Sequence, residues 1–492
     1  MEDSWQPKPG DKVVRPRRIK GYRLRRVLGV PALFSAGYGD VGSSIYYALG
    51  VVALIALGAT PIALAIAGII YIFNALTYAE GSAMIPEAGG SASFARHGFN
   101  DLGGFIAGWA LMLSYVVTMS ISAYTIPPYL SHFWPILREP VIGTSVSMGI
   151  IVFLMLLNVL GVRESARLNI FFIAIDIVTQ ITLVVLGIIL ILMPNPGILF
   201  QHMFGQGNWP SMQNLIFGIA IAALCFTGVE TVSQLAEETR EPAKKIPRAY
   251  IVMIVAVLIL FAGISIVALS AMTPQLLGDP VNGWARDPVA GIAANLPSAT
   301  LQTIFAPLVA ILAATILLTA TNAGLMGISR LAFNLSSHHQ LPATLSRTHH
   351  RFRTPYLAII LFCFLALGVL TPGFFTTHFF ADLGALYVFG SLLCFALAHA
   401  AVLALRVKKP ELQRPFRIGG NIRIKGRELP ITTVLGLIAT AVIWIVVITI
   451  QPYSRWVGMG WMAGGLIIYS LYRWKAHLPL THLPKKPGEK VL

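Results

Sequence analysis

The feature that most constrains this chain is the recurrence, along nearly its whole length, of long blocks of apolar residues with few charges between them. At about 1.5 Å rise per residue, roughly 20 residues cross a hydrocarbon core of about 30 Å as a helix. Only 11% of the 492 residues are charged and 56% are hydrophobic, against roughly 25% charged in soluble domains. A soluble globule could not cover its surface with so little charge. The chain is therefore expected to be all-α and polytopic, with about twelve transmembrane helices. They are placed near 28–57, 60–84, 103–126, 140–161, 168–193, 213–238, 248–272, 299–333, 354–371, 376–405, 430–450 and 455–474.

The net charge of +16 reports topology, not nucleic-acid binding, because the basic residues sit between apolar blocks and not on one soluble face. With the N-terminus inside, all but Arg138, Arg286 and Arg455 of the 36 Lys and Arg residues fall in or beside internal segments. That bias predicts an integral protein of the plasma (inner) membrane with both termini cytoplasmic. The span after the basic segment Lys8–Arg26 is too long for a signal-peptide core, so no cleaved signal is expected. The layout is a basic N-terminus (1–27), a ten-helix core (28–406), a basic loop (407–429) expected to meet anionic lipid headgroups, two accessory helices (430–474) and a tail (475–492).

Cys225, Cys363 and Cys394 lie inside apolar spans without paired spacing, and His338-His339 and His349-His350 lack cysteine or carboxylate companions, so neither set reads as a metal site. Gly37, Gly39 and Gly42 match the spacing of a dinucleotide-binding loop. They interrupt a membrane span, however, and no acid follows before Glu80, so the enzyme reading fails. The chain also lacks a phosphate-cradling loop with Gly-Lys-Ser or Gly-Lys-Thr. No cofactor is expected.

Spans one and six carry glycine, hydroxyl and carboxylate together at mid-membrane: Gly37 to Tyr47 in the first, Leu224 to Glu230 in the sixth. A glycine costs a helix about 1 kcal/mol and a central acid at least ~2.5 kcal/mol, so these segments must face protein or a water-filled cavity. Breaks at corresponding places predict two five-helix inverted repeats, with non-helical backbone near 39–44 and 225–229 and spans eleven and twelve outside the repeats.

Several motifs in order carry a resemblance over about 27–406. Gly42-Ser43-Ser44-Ile45-Tyr46 resembles the first-span break of amino acid permeases. Pro86-Glu87-Ala88-Gly89-Gly90 with Gly108-Trp109 is similar to their second-to-third span region, and Thr227-Gly228-Val229-Glu230 with Glu237-Glu238 and Glu241-Pro242 to their sixth span and its exit. Arg330 and Pro342 sit where the loop after the eighth span carries such residues. The chain thus resembles the amino acid, polyamine and organocation transporter superfamily. That resemblance implies a LeuT-like core, a central site against spans one and six, and alternating access. Gly39-Asp40-Val41-Gly42-Ser43-Ser44 also resembles Kup-type potassium importers, and Tyr47, Thr118, Thr227, Glu230 and Tyr387 align with the potassium-site residues of KimA-type relatives. Ser114 stands where those importers carry a third acid.

The expected substrate groups follow. N–H groups near Gly42, Ser43 and Ser44, with the half-helix beginning at Ile45, would hold a carboxylate. Carbonyls near Cys225, Thr227 and Gly228, with Asp40 and Thr118, would take an ammonium. Asp40 and Glu230 are the expected coupling acids. Asp176 beside Thr321 and Asn322 would suit a cation or titrate alone, or else reach water from near a helix end. Tyr47 and Tyr387 suit gates or packing. The leading expectation is import of an amino acid or small organic cation driven by a proton or other cation gradient. The alternative is proton-coupled potassium import. A channel is disfavoured, because paired breaks with buried acids suit a closed central site.

Overall fold

A computed structural model describes residues 26–161, 166–352, 354–376, 379–424 and 427–481. The basic N-terminal segment and most of the tail 475–492 lie outside the described residues. Twelve long helical segments, numbered here as spans, occur among the described residues: 30–56, Thr60–Met84, Asp101–Leu130, Pro140–Val159, Leu168–Leu192, Met212–Gln234, Pro242–Ala271, Ala299–Ser337, Tyr356–Phe374, Phe379–Lys408, Ile431–Ile450 and Pro452–Lys475, of which the first eleven lie in ten stretches long and apolar enough to cross a membrane. Spans one and two form one apolar stretch, divided at Leu57, where φ is 47°. Span twelve is less apolar than the others, since Arg455, Arg473 and Lys475 fall inside it.

Local chemistry sets several starts. Asn100 caps span three by accepting from the Gly103 N–H at 2.8 Å, and Ser211 caps span six by accepting from Asn214 at 3.2 Å. Proline opens spans four, seven and twelve, where its missing N–H has no helical partner to lose.

Span three is buried along nearly its whole length and forms the centre of the bundle. Small residues let span eight approach it: a Cβ at Gly327 would stand 2.8 Å from the Tyr115 ring, and one at Gly324 3.4 Å from Thr118 Cβ. Span twelve docks on the same helix through Trp109 and Trp461, whose rings stack at 4.7 Å and whose indole N–H groups each donate to the other's carbonyl, at 2.7 and 2.9 Å. Spans four, five, seven, nine and eleven turn Phe153, Val178, Ile259, Phe364 and Ile438 outward, an apolar belt suited to lipid.

The basic loop expected to meet lipid headgroups is also tied to the helical core at its start. Arg406 forks onto the fully buried Glu80 of span two at 2.8 and 2.5 Å, and the Ile418 N–H donates to the same carboxylate at 3.0 Å. Asn421–Ile424 and Arg427–Pro430 then pair as an antiparallel ribbon.

The two expected breaks differ. Span six interrupts as expected: a 3-10 turn at Ala223–Phe226 leads to Thr227 in extended conformation (ψ 159°) and Gly228 at φ 99°, and the helix resumes at Glu230–Gln234. Span one does not unwind. Its α-helix runs to Val41, tightens to a 3-10 turn over Gly42–Ser44 with helical dihedrals, and continues as Ile45–Ala56. The reason is local. Gly42 leaves room for the Tyr38 ring, 2.6 Å from where its Cβ would stand, and the Ser43 hydroxyl donates to the Asp40 carbonyl at 2.7 Å. The polar run repairs the helix it was expected to open.

Candidate functional site

The break in span six rests on the intact turn of span one. A Cβ on Gly228 would stand 2.8 Å from Asp40 Cγ and 2.9 Å from the Val41 nitrogen. Only glycine fits there, both for this closeness and for its positive φ. Asp40, 2% exposed, accepts from the Thr231 hydroxyl through Oδ2, while its Oδ1 has no protein partner. Glu230, 1% exposed, turns back on the break and accepts from the Gly228 N–H at 3.2 Å. Tyr250 donates to the Val229 carbonyl at 3.1 Å, so both sides of the break are held by side chains.

Around this junction stand most of the expected residues. Tyr47 shares a hydrogen bond of 3.0 Å with Ser44 and faces Asp40, Cys225 and Glu230. Tyr387 of span ten faces the same two acids and Tyr47, with Thr118 of span three beside its hydroxyl. Thr227 donates to the Leu224 carbonyl at 2.8 Å, and Ile45 is fully buried. The Gly42 N–H, expected to be free for a carboxylate, donates to the Tyr38 carbonyl in this conformation.

Asp176 lies apart from the other two acids and from its expected companions. It is 1% exposed in the middle of span five, so it does not reach water from a helix end. It accepts from Tyr46 of span one and, at 2.7 Å, from Gln180 one turn on. Thr321 donates to the Leu317 carbonyl of its own helix at 2.8 Å, and the Asn322 carbonyl oxygen accepts from Asn158 of span four at 2.6 Å. Ser114 meets Ser391 of span ten at 3.1 Å.

Thr231, Gln234, Tyr115, Tyr46 and Gln180 escaped the sequence reading. A helical period could have found some of them: Gln234 is one turn beyond Glu230 and Thr231, and Tyr115 one turn before Thr118.

The two ends of the site are unlike. On the face carrying the basic segments, a cavity of about 110 Å³ extends below Asp40 between spans one, three, five, six and eight, from Gly39, Tyr115 and Thr231 to Arg330. Arg330 pairs with Glu238 at 3.0 Å, and the lead-in to span one bonds to the exit of span six, Val27 and Leu28 donating to the Glu238 carbonyl at 2.9 and 3.0 Å. The opposite face is sealed. Gly50 lies under the Ala285 backbone, whose oxygen is 2.1 Å from where a Cβ would stand, and Arg138 joins Asp287 at 2.7 Å. Tyr129 donates to the Tyr46 carbonyl at 2.7 Å and accepts from the Val289 N–H at 3.4 Å.

A lipid-belted bundle with a broken helix packed on buried acids, closed at one face and hollow below them, is a membrane transporter for small organic solutes. The chain belongs to the amino acid permease family, whose model matches residues 28–471. It is 28% identical over 473 residues to the branched-chain amino acid permease BcaP of Bacillus subtilis, covering 91% of this chain and 93% of that one. It is likewise 28% identical over 510 residues to a methylthioribose transporter of the same organism, covering 97% and 99%. The large neutral amino acids transporter small subunit 2 of Mus musculus is 24% identical over 426 residues, covering 84% and 74%. These relatives give no support to the potassium-importer resemblance of span one.

Proposed function

We propose that this protein carries an amino acid or a related small organic solute across the plasma membrane by alternating access, driven by a proton or other cation gradient. The basic face is cytoplasmic in this reading, and the conformation described is closed to the outside. The observation that carries it is the cavity of about 110 Å³ lined from Gly39 and Thr231, the residue bonded to Asp40, to Arg330 at the basic face. A water occupies ~30 Å³ in the liquid, so the space suits a solute of several heavy atoms better than one desolvated ion. Relatives named for branched-chain and large neutral amino acids support the same substrate class.

Asp40 and Glu230 are the groups through which a gradient would act. Each carboxylate is buried and held by an uncharged donor, the Thr231 hydroxyl at Asp40 and the Gly228 N–H at Glu230, and a buried charge that lacks a counter-charge favours taking up a proton or a cation. Glu230→Gln keeps an acceptor for the Gly228 N–H and removes the charge. In proteoliposomes it should abolish accumulation of labelled L-valine against its gradient and leave counterflow exchange at a third or more of wild type. Wild-type accumulation in the variant would place coupling elsewhere, with Asp176 the next candidate.

A further inference from the structure

The cavity below the Asp40–Gly228 junction holds more unmet hydrogen-bonding capacity than an exit path needs. Gln234, 2% exposed, lines it with neither its amide oxygen nor its amide nitrogen bonded to protein. Tyr115, 1% exposed, lines it from span three with its hydroxyl beside Thr231 but in no hydrogen bond of ordinary geometry. At the inner end of the junction above, Asp40 Oδ1 is unpartnered too. Buried polar groups of native proteins are almost always paired, and each one left unpaired costs about 1–3 kcal/mol. Such groups gathered at one cavity indicate that something polar fills it in part of the cycle.

The placement of Gln234 supports this. It follows Thr231 by one helical turn, so both present the same face of span six to the cavity. Behind it stands Gly90, at φ 51°, where a Cβ would come 3.2 Å from the Gln234 nitrogen and 2.5 Å from the Ser233 hydroxyl. The amide therefore packs against a glycine backbone on one side and meets open space on the other. It offers a donor and an acceptor together, and the Tyr115 hydroxyl offers both as well. A zwitterion with an ammonium and a carboxylate on one carbon needs that combination, whereas a metal cation would leave the amide N–H unused.

We propose that this cavity is a second station for the cargo on the basic-face side, in which Gln234 and Tyr115 hold the head group of a small amino acid after it leaves Asp40. The Arg330–Glu238 pair bounds the station at the basic face. This rests on the proposed amino acid substrate and adds a binding site to it.

The test compares wild type, Gln234→Leu, Gln234→Asn and Tyr115→Phe in vesicles of defined orientation, with labelled L-alanine and L-valine offered from either side. Gln234→Leu should raise KM from the basic face about tenfold relative to KM from the opposite face. Gln234→Asn, which keeps an amide, should recover part of that ratio, and Tyr115→Phe should change it about threefold. Melting of the purified protein gives a second reading. Without ligand, Gln234→Leu should melt no lower than wild type, because an orphan amide has been removed, while the upward shift caused by L-valine should shrink. Equal KM changes from both faces, an unchanged ratio, or a drop of several degrees in the ligand-free melting temperature would overturn the station. Wild-type vesicles that move neither amino acid would instead overturn the substrate reading on which it stands.

Discussion

At the scale of single residues, Asp40 separates the two substrate readings, because one carboxylate oxygen is held and the other is not. Oδ2 accepts from Thr231, and Oδ1 has no protein partner. Potassium would take its charge balance from this oxygen, and Asp40→Asn would then erase potassium binding at every pH, since hard cations need charged or strongly polar oxygen ligands. An amino acid asks less of the same atom. An asparagine can keep an acceptor for Thr231, and the polar groups nearby remain, so binding should weaken by about tenfold, ~1.4 kcal/mol, and survive. Calorimetry on both proteins, with L-valine and with potassium, reads the difference. The expected outcome is saturable heat for L-valine in both and none for potassium in either. Saturable potassium heat that vanishes in the variant would reverse the substrate assignment. Asp40 and Glu230 stood out in the sequence because a carboxyl amid apolar residues is expensive in a membrane and must be buried against protein, protonated or paired. Gln234 and Tyr115 did not, since an amide at a helix end and a phenol in mid-span are both ordinary until their surroundings are seen.

At the scale of elements, the two interrupted spans show what glycine can and cannot signal. Gly37, Gly39 and Gly42 suggested an unwound first span, yet the missing side chains admit neighbours: Val232 and Met253 at Gly37, and the Tyr38 ring at Gly42. A glycine that makes room and a glycine that turns the chain look alike in one dimension. Of the glycines in the two interrupted stretches, Gly228 takes a positive φ and Gly37, Gly39 and Gly42 do not, and at Gly228 a Cβ would also press on the Asp40 backbone. Gly228→Ala should therefore cost about 2–4 kcal/mol, summing the left-handed penalty and the overpacking, and lower the melting temperature by several degrees. Gly42→Ala meets the buried Tyr38 ring but keeps an ordinary helical φ of −65°, so it adds overpacking without the left-handed penalty and should cost about half as much. Equal losses at the two sites would mean that span six is no more strained than span one. The spans themselves were read to within a few residues, because an apolar run long enough to cross a bilayer leaves little choice of structure. The rotation of each helix about its axis was not legible, so Asp176 was set towards span eight when its partners come from Tyr46 and Gln180.

At the scale of the whole molecule, the structure is asymmetric: hollow towards the basic face, and sealed opposite by the segment between spans seven and eight. That segment packs Gly278 on the Leu54 backbone, Ala285 on Gly50, and carries Asp287 to Arg138, whose guanidinium also lies 5.5 Å from the centre of the Trp284 ring. Burial pushes the Asp287 carboxyl up to about 6, against the pull of Arg138 and Arg286. Between the ordinary value of 3.8 and about 6, the folded protein therefore holds a proton that the unfolded chain has released. Stability from this group is full at the acid end of that window and falls as pH rises through it, by on the order of 3 kcal/mol. Asn at the same place stays neutral throughout and still offers an oxygen to Arg138. The stability of Asp287→Asn relative to wild type should therefore rise by on the order of 2–3 kcal/mol between pH 4 and pH 7. Melting curves of the two purified proteins across that range give the difference directly, because titrations they share cancel. A difference that does not change with pH would mean Asp287 is ionised throughout, and the seal a permanent ion pair. A difference that moves in the predicted direction makes Asp287 a titrating member of the seal, its carboxyl neutral beside Arg138 at the acid end of the range.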